Sequence, residues 1–188
     1  MYWFAIFMNI LLILALAWMW VVIIKLFLNK EYRNCPPYVP SFGHEKRIIV
    51  SRVTELLKNA DRKMKILDPG CGTGSLIIDL AKKFPEHEFV GIEWNRLASN
   101  IARYKTRKLK NVTILQQDMF THSFKDADVI VCFLMQPLME RFGNKVKEDA
   151  KSGLVIFSNS FYIPNIELAE KIETGKFFFI ENVYIYKL

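Results

Sequence analysis

The chain has 188 residues, 26 of them lysine or arginine against 19 acids, for a formal net charge of +7. That length carries one domain with a real hydrophobic core. Three scattered cysteines (Cys35, Cys71, Cys132) without a CxxC pair, and three distant histidines (His44, His87, His122), exclude a disulfide framework and suggest no metal site.

The first segment is unlike the rest. From Trp3 to Ile24 there is no charge, and Asn9 is the lone amide. As a helix this run spans about 33 Å, close to one hydrocarbon core. Trp3 stands near one end, Trp18 and Trp20 toward the other, a rough aromatic belt. A secretory signal would want a basic start, a shorter apolar run and a small-residue cleavage site, none of which is evident. Residues 3–28 therefore read as an uncleaved single-pass anchor in the lipid bilayer. Lys25, Lys30 and Arg33 flank only its downstream side, which puts the N-terminus outside and the remaining chain on the cytoplasmic side.

Residues 29–43 follow as a polar connector, made extended and stiff by Pro36, Pro37 and Pro40. Residues 44–188 then read as the domain. Ile48, Ile49, Val53, Leu56 and Leu57 fall at helical spacing and predict an amphipathic helix over His44–Asn59. After it, apolar runs alternate with helical patterns: strands at Lys65–Leu67, Glu88–Ile92, Val112–Leu115, Asp128–Phe133 and Leu154–Phe157, helices at Ser75–Phe84, Arg96–Lys108 and Pro137–Ala150. Buried strands separated by helices imply an α/β fold with a mostly parallel sheet covered on both faces. Runs at Lys176–Ile180 and Val183–Tyr186, either side of Glu181-Asn182, predict an antiparallel hairpin at one edge.

The chemistry centres on the turn between the first strand and its helix, "LDPGCGTGS" from Leu67 to Ser75. A dinucleotide fingerprint would need a glycine where Ser75 stands, and a glycine-rich turn alone is weak evidence. Its neighbours sharpen the reading. Asp68, Glu93 and Asp118 stand at the ends of the first three strands, which in a parallel sheet lie on one side, where such sheets bind ligands. Any one of these acids could simply cap a turn. Three beside a glycine loop would repel a pyrophosphate but hold a ligand carrying positive charge, hydroxyls and an amino group. S-adenosyl-L-methionine has those groups and no phosphate.

"LDPGCGTG", "VGIEWN" and "QQDMF" resemble the successive cofactor motifs of class I S-adenosylmethionine-dependent methyltransferases, from about Met64 to the C-terminus. The resemblance implies a Rossmann-like fold and these roles: Gly70, Cys71, Gly72 and Gly74 passing backbone close to the cofactor, Asp68 orienting its methionine amino end, Glu93 accepting from the ribose hydroxyls, and Asp118 taking the adenine amine, with Trp94 and Met119 packing on the ring. The order of segments is also similar to a small family of membrane-anchored protein-lysine methyltransferases that act on an ATP synthase ring subunit and the adenine nucleotide carrier in mitochondria. "PYVPS" at Pro37–Ser41, "GIEWN" at Gly91–Asn95 and "LMQPLM" at Leu134–Met139 carry that match. The chain departs from the family in having Thr73 where a second acid is usual, and it shows no arginine-rich presequence.

Methyl transfer from a sulfonium is an in-line displacement that needs position more than acid or base, so no catalytic base is assigned. A lysine nucleophile must be neutral, which at pH 7 costs roughly 4.6 kcal/mol from a free pKa of about 10.4. An apolar channel lowers that cost, and its candidate lining is Tyr38, Phe42, Gln136, Pro137 and Tyr162. The implied substrate is a lysine of another membrane protein. A lipid or quinone-like substrate suits the same anchor, and a non-catalytic cofactor- or partner-binding module is a further alternative. The basic stretch Arg96, Arg103, Lys105, Arg107, Lys108 and Lys110 reads first as a solvated helix face, next as a match for anionic headgroups. No nucleic-acid module is recognisable, so no nucleic acid is expected.

Overall fold

The structure is a computed structural model that describes residues 2–28, 43–174 and 182–188. The chain divides into two compact units between residues 38 and 39. The first holds helix α1, Tyr2–Leu28, 27 residues long. Its described side chains, Tyr2 and Ile6–Val21, are all exposed. Among the described residues no helix is both long and apolar enough to cross a membrane. The single-pass anchor expected over residues 3–28 therefore finds no support among the described residues. The predicted connector, with Cys35, Tyr38 and Phe42, lies outside the described residues.

The second unit is the α/β domain. Its elements run α2 (Gly43–Lys58), β1 (Lys65–Pro69), α3 (Ser75–Lys83), β2 (Glu88–Glu93), α4 (Arg96–Thr106), β3 (Val112–Gln116), a single 3-10 turn (Met119–Thr121), β4 (Val129–Cys132), α5 (Gln136–Asp149), β5 (Val155–Asn159), β6 (Glu170–Glu173) and β7 (Asn182–Lys187). The sheet order is β3-β2-β1-β4-β5-β7-β6. Pairings from β3 through β5 are parallel, and β7 runs antiparallel to both β5 and β6. The order reverses between β1 and β4, which opens a crevice at the carboxyl ends of those strands.

Period-2 alternation explains how the sheet is filled. In β4, Val129 and Val131 join the cluster packed under α2 and α3, with Ile49, Val53, Leu57, Leu76 and Leu80. Ile130 and Cys132 point the other way, into the cluster with Met139, Phe142 and Val146 of α5. All four β4 residues are buried, as a central parallel strand demands. His87, 3% exposed, is a packing residue: its Nδ1 accepts the Met64 N–H at 3.1 Å.

Two predicted elements shift. Asp128 precedes β4 rather than opening it. Its buried carboxylate is held by Arg62 (2.7 Å), the Lys65 backbone N–H (2.7 Å) and Lys151 (2.6 Å), a clamp across the amino ends of the strands. The hairpin exists, but its first arm is Glu170–Glu173. That arm is a charged, mostly exposed edge strand, which protects the edge and leaves no apolar alternation to read. The predicted arm Lys176–Ile180 lies outside the described residues.

Candidate active site

The turn after β1 is shaped by glycine. Gly70, Gly72 and Gly74 all have positive φ, 78°, 56° and 79°. A Cβ on Gly70 would also sit 2.8 Å from Leu134 Cδ2, so the turn and the segment after β4 approach as closely as a bare backbone allows. Beneath the loop, Gly91 of β2 performs a similar service: a Cβ there would meet Cys71 Sγ and Ile114 Cδ1, each at 2.8 Å. The N–H groups of Gly70 and Cys71 both donate to the Ile92 carbonyl, at 2.7 and 3.0 Å, fastening the loop to the end of β2.

Glu93 completes the fastening. Its Oε2 accepts the Gly72 N–H at 2.8 Å and its Oε1 the Asn95 N–H at 2.6 Å. A carboxylate offers about four acceptor positions, so both oxygens keep capacity toward the crevice. The Gln117 N–H donates to the Glu93 carbonyl at 3.2 Å, which draws the end of β3 alongside. Asp118 follows it and caps the 3-10 turn through Oδ1 and the Phe120 N–H at 2.9 Å. Turn capping is thus one role of Asp118 and, in part, of Glu93.

Asp68 differs. It is 3% exposed, and its Oδ2 has no hydrogen-bond partner among the described residues. Burial pushes its carboxyl up to about 8; the nearby Glu93 carboxylate adds to the rise and the Lys46 ammonium opposes it. A buried carboxylate oxygen without a partner is costly. Here it lies at the start of the glycine loop and near the Glu93 carboxylate, so the site fits a ligand that brings an ammonium group. Burial also raises the Cys71 thiol well above its usual value, and Cys71 is packed under the loop, 8% exposed. Met119, likewise 8% exposed, belongs to the core cluster with Val90, Ile92 and Phe124. Trp94 is 55% exposed at the end of β2.

Of the channel candidates, Gln136 and Pro137 open α5 just after β4 and are exposed on the same edge of the sheet. Tyr162 follows β5, with its ring 5.8 Å from Tyr184 and 6.3 Å from Tyr186. Tyr38 and Phe42 lie outside the described residues. Three features escape a reading of the sequence. Lys46 of α2 acts on Asp68 and pairs with Asp79 at 2.8 Å. Lys105 Nζ donates to Thr73 Oγ1 at 3.1 Å, beside the glycine loop. Ser160, after β5, holds φ 65°, and its hydroxyl donates to Asn159 at 3.1 Å; the polar cluster Ser158-Asn159-Ser160 after an apolar strand was the available signal. Two surface clefts, of about 480 and 700 Å³, lie elsewhere, one around Arg62 and His87, the other around Lys46 and Lys82. Neither contains a glycine-loop residue. Among the described residues no group of side chains could hold a metal ion.

Residues 68–170 match the ANTKMT methyltransferase domain. The chain belongs to the ANTKMT methyltransferase family. A protein-lysine N-methyltransferase of Saccharolobus islandicus is 30% identical over 155 residues, covering 80% of this chain and 92% of that protein. An RNA methyltransferase from Salinibacter ruber, solved with S-adenosyl-L-homocysteine, superposes with a TM-score of 0.63 at 20% identity, over 79% of this chain and 93% of that one. A methyltransferase of Escherichia coli gives 0.62 at 13% identity, over 81% and 91%. The fold is therefore the Rossmann-like class I methyltransferase fold with its C-terminal antiparallel hairpin. As a member of the ANTKMT family, the chain is an enzyme that uses S-adenosyl-L-methionine as methyl donor.

Proposed function

We propose that this methyltransferase modifies lysine side chains of membrane proteins, from a domain tethered to the bilayer by residues 3–28 with the N-terminus outside and the domain on the cytoplasmic side. The observation that carries the proposal is the conjunction of the charge-free sequence run from Trp3 to Ile24 with a methyltransferase domain in one chain. The lysine assignment draws support from the Saccharolobus relative, whose name states that chemistry. Tethering concentrates the enzyme with substrates confined to the same bilayer.

When bound, S-adenosyl-L-methionine supplies a methyl group on a positively charged sulfur, which leaves as a neutral thioether as the lysine Nζ lone pair takes the methyl. Asp68 binds the ammonium end: its unpartnered Oδ2 gains a partner, and its carboxylate becomes the favoured form. Glu93 accepts from a ribose hydroxyl while keeping the loop closed through the Gly72 N–H. Asp118 takes the adenine amine, and Met119 backs that pocket from the core, while the exposed Trp94 ring stays outside it. Gln136, Pro137 and Tyr162 line the approach of the lysine and keep it poorly hydrated, which favours its neutral form. The proton lost before attack leaves to solvent, so no dedicated base is required.

Two measurements test this reading. Alkaline carbonate extraction should leave the full chain in the membrane pellet; release into the supernatant contradicts the anchor. Incubation with methyl-labelled S-adenosyl-L-methionine and membranes should label a protein band on lysine. Label recovered in the lipid extract instead would assign the chain to a headgroup or quinone-like substrate.

A further inference from the structure

Helix α4 carries its hydrophobic residues on the wrong side for a helix that only covers a sheet. Its buried face is small: Ala98, Ser99, Ala102 and Thr106. The large apolar side chains point outward, with Leu97 71%, Tyr104 67% and Ile101 37% exposed, and Trp94, one turn ahead of them, 55% exposed. Leu97, Ile101 and Tyr104 recur at i, i+4 and i+7, so they form one continuous stripe on the helix, and Trp94 stands just before its N-cap Asn95. Around the stripe stand Arg96, Arg103, Lys105, Arg107, Lys108 and Lys110, all exposed. No acid occurs from Trp94 to Gln117. Arg103, Lys105 and Arg107 bond to neutral oxygens of Ile114, Thr73 and Tyr104, and so keep their charge uncompensated. The Arg107 guanidinium also lies 3.9 Å over the Tyr104 ring.

We propose that this face of α4 docks on an anionic phospholipid bilayer, with Trp94, Leu97, Ile101 and Tyr104 entering the boundary between headgroups and acyl chains. An outward apolar stripe with tryptophan and tyrosine, flanked by cations alone, is the physical signature of an interfacial helix. The charge complements acidic headgroups, which attract each nearby lysine or arginine. Single-stranded nucleic acid would also meet the charge and stack on Trp94 and Tyr104, but the aliphatic Leu97 and Ile101 between those rings suit acyl chains rather than bases. Docking does not depend on α1 spanning the bilayer. Its consequence is functional: α4 starts directly after Glu93 and Trp94, so the glycine-loop edge of the sheet would work at the level of the headgroups.

Trp94 is the probe. Replacing Trp3, Trp18 and Trp20 by phenylalanine leaves it the sole tryptophan of the full chain. That protein is reconstituted in nanodiscs whose acyl chains carry bromine, a contact quencher, made of phosphatidylcholine alone or with about one-third phosphatidylserine. Trp94 fluorescence should be strongly quenched in the serine-containing discs, and much less in phosphatidylcholine or in about 0.5 M salt. Leu97→Ser, Ile101→Ser and Tyr104→Ser together should remove most of the quench while S-adenosyl-L-homocysteine binding in detergent persists. If that triple variant does not fold, Lys108→Glu with Lys110→Glu should abolish the dependence on phosphatidylserine. Equal emission in brominated and plain discs overturns the proposal. So does a quench untouched by these variants, or a Trp94 response to poly-uridylate RNA without any response to lipid.

Discussion

Asp68 gives the sharpest test of how the site is built, because it should weaken the empty protein and strengthen the liganded one. Its carboxyl is raised from the ordinary range to about 8 in the folded chain, mainly by burial. For an acid with a raised folded pKa, stability is fully present below the unfolded value of about 3.9 and is lost as pH rises through the folded one. Between about pH 4 and pH 7 the folded state holds a proton that the unfolded state has released, a difference worth up to about 4 kcal/mol. Asp68→Asn keeps the shape and removes the titration. Urea unfolding of the ligand-free chain in detergent should therefore show the variant gaining on the native protein as pH rises from 5 to about 8, by about 1–3 kcal/mol at pH 7 after relaxation. Calorimetric titration with S-adenosyl-L-methionine should show the opposite. Affinity of the native chain should rise with pH up to about 8, since the ammonium needs the carboxylate, and Asp68→Asn should lose roughly tenfold or more. Stability curves of the two proteins that stay parallel in pH, or unchanged affinity in the variant, would refute this account of the buried acid.

Gly91→Val places a branched side chain against Cys71 Sγ and Ile114 Cδ1, where even a Cβ comes within 2.8 Å. It should cost about 1–3 kcal/mol in thermal unfolding and displace the glycine loop, so that cofactor affinity falls with it. Burial pushes the Asp128 carboxyl up, but hydrogen bonds from Arg62, Lys151 and the Lys65 backbone N–H outweigh it and hold it at about 2. That stability is present above about pH 4 and drains away as pH falls toward 2, about 1–2 kcal/mol in all after solvent screening. Asp128→Asn should flatten the acid limb of the unfolding profile without altering cofactor affinity. Glu93→Gln exchanges a charged acceptor for a neutral one at the Gly72 and Asn95 N–H groups. It should weaken S-adenosyl-L-homocysteine binding by about 1.5–3 kcal/mol, read by calorimetry.

Much of this site was legible because its chemistry is local in the chain. The glycine spacing dictates positive φ, and each acid stands at a strand end that the parallel topology brings to one edge. The apolar runs predict buried strands for the same reason, and β4, buried on both faces, is the clearest case. What could not be read depends on distant packing. Lys46 acts on Asp68 through its charge only because α2 packs on α3, and nothing in "HEKRII" announces it. β6 is an edge strand of charged residues with no periodicity to detect. Asp128 looks like a strand residue until Arg62 and Lys151 are placed around it. The basic stretch from Arg96 to Lys110 looked like a solvated helix face; only exposure reveals the apolar stripe between its cations.

The central claim is that this chain moves a methyl group from S-adenosyl-L-methionine to a lysine of a membrane protein. Label transfer tests it most directly: detergent-purified chain, methyl-labelled donor, and membranes from cells lacking the enzyme, with Asp68→Ala as control. The account predicts a labelled protein band that maps to methylated lysine and vanishes with the variant. Label confined to extracted lipid, or no label in a preparation that binds S-adenosyl-L-homocysteine, would contradict it.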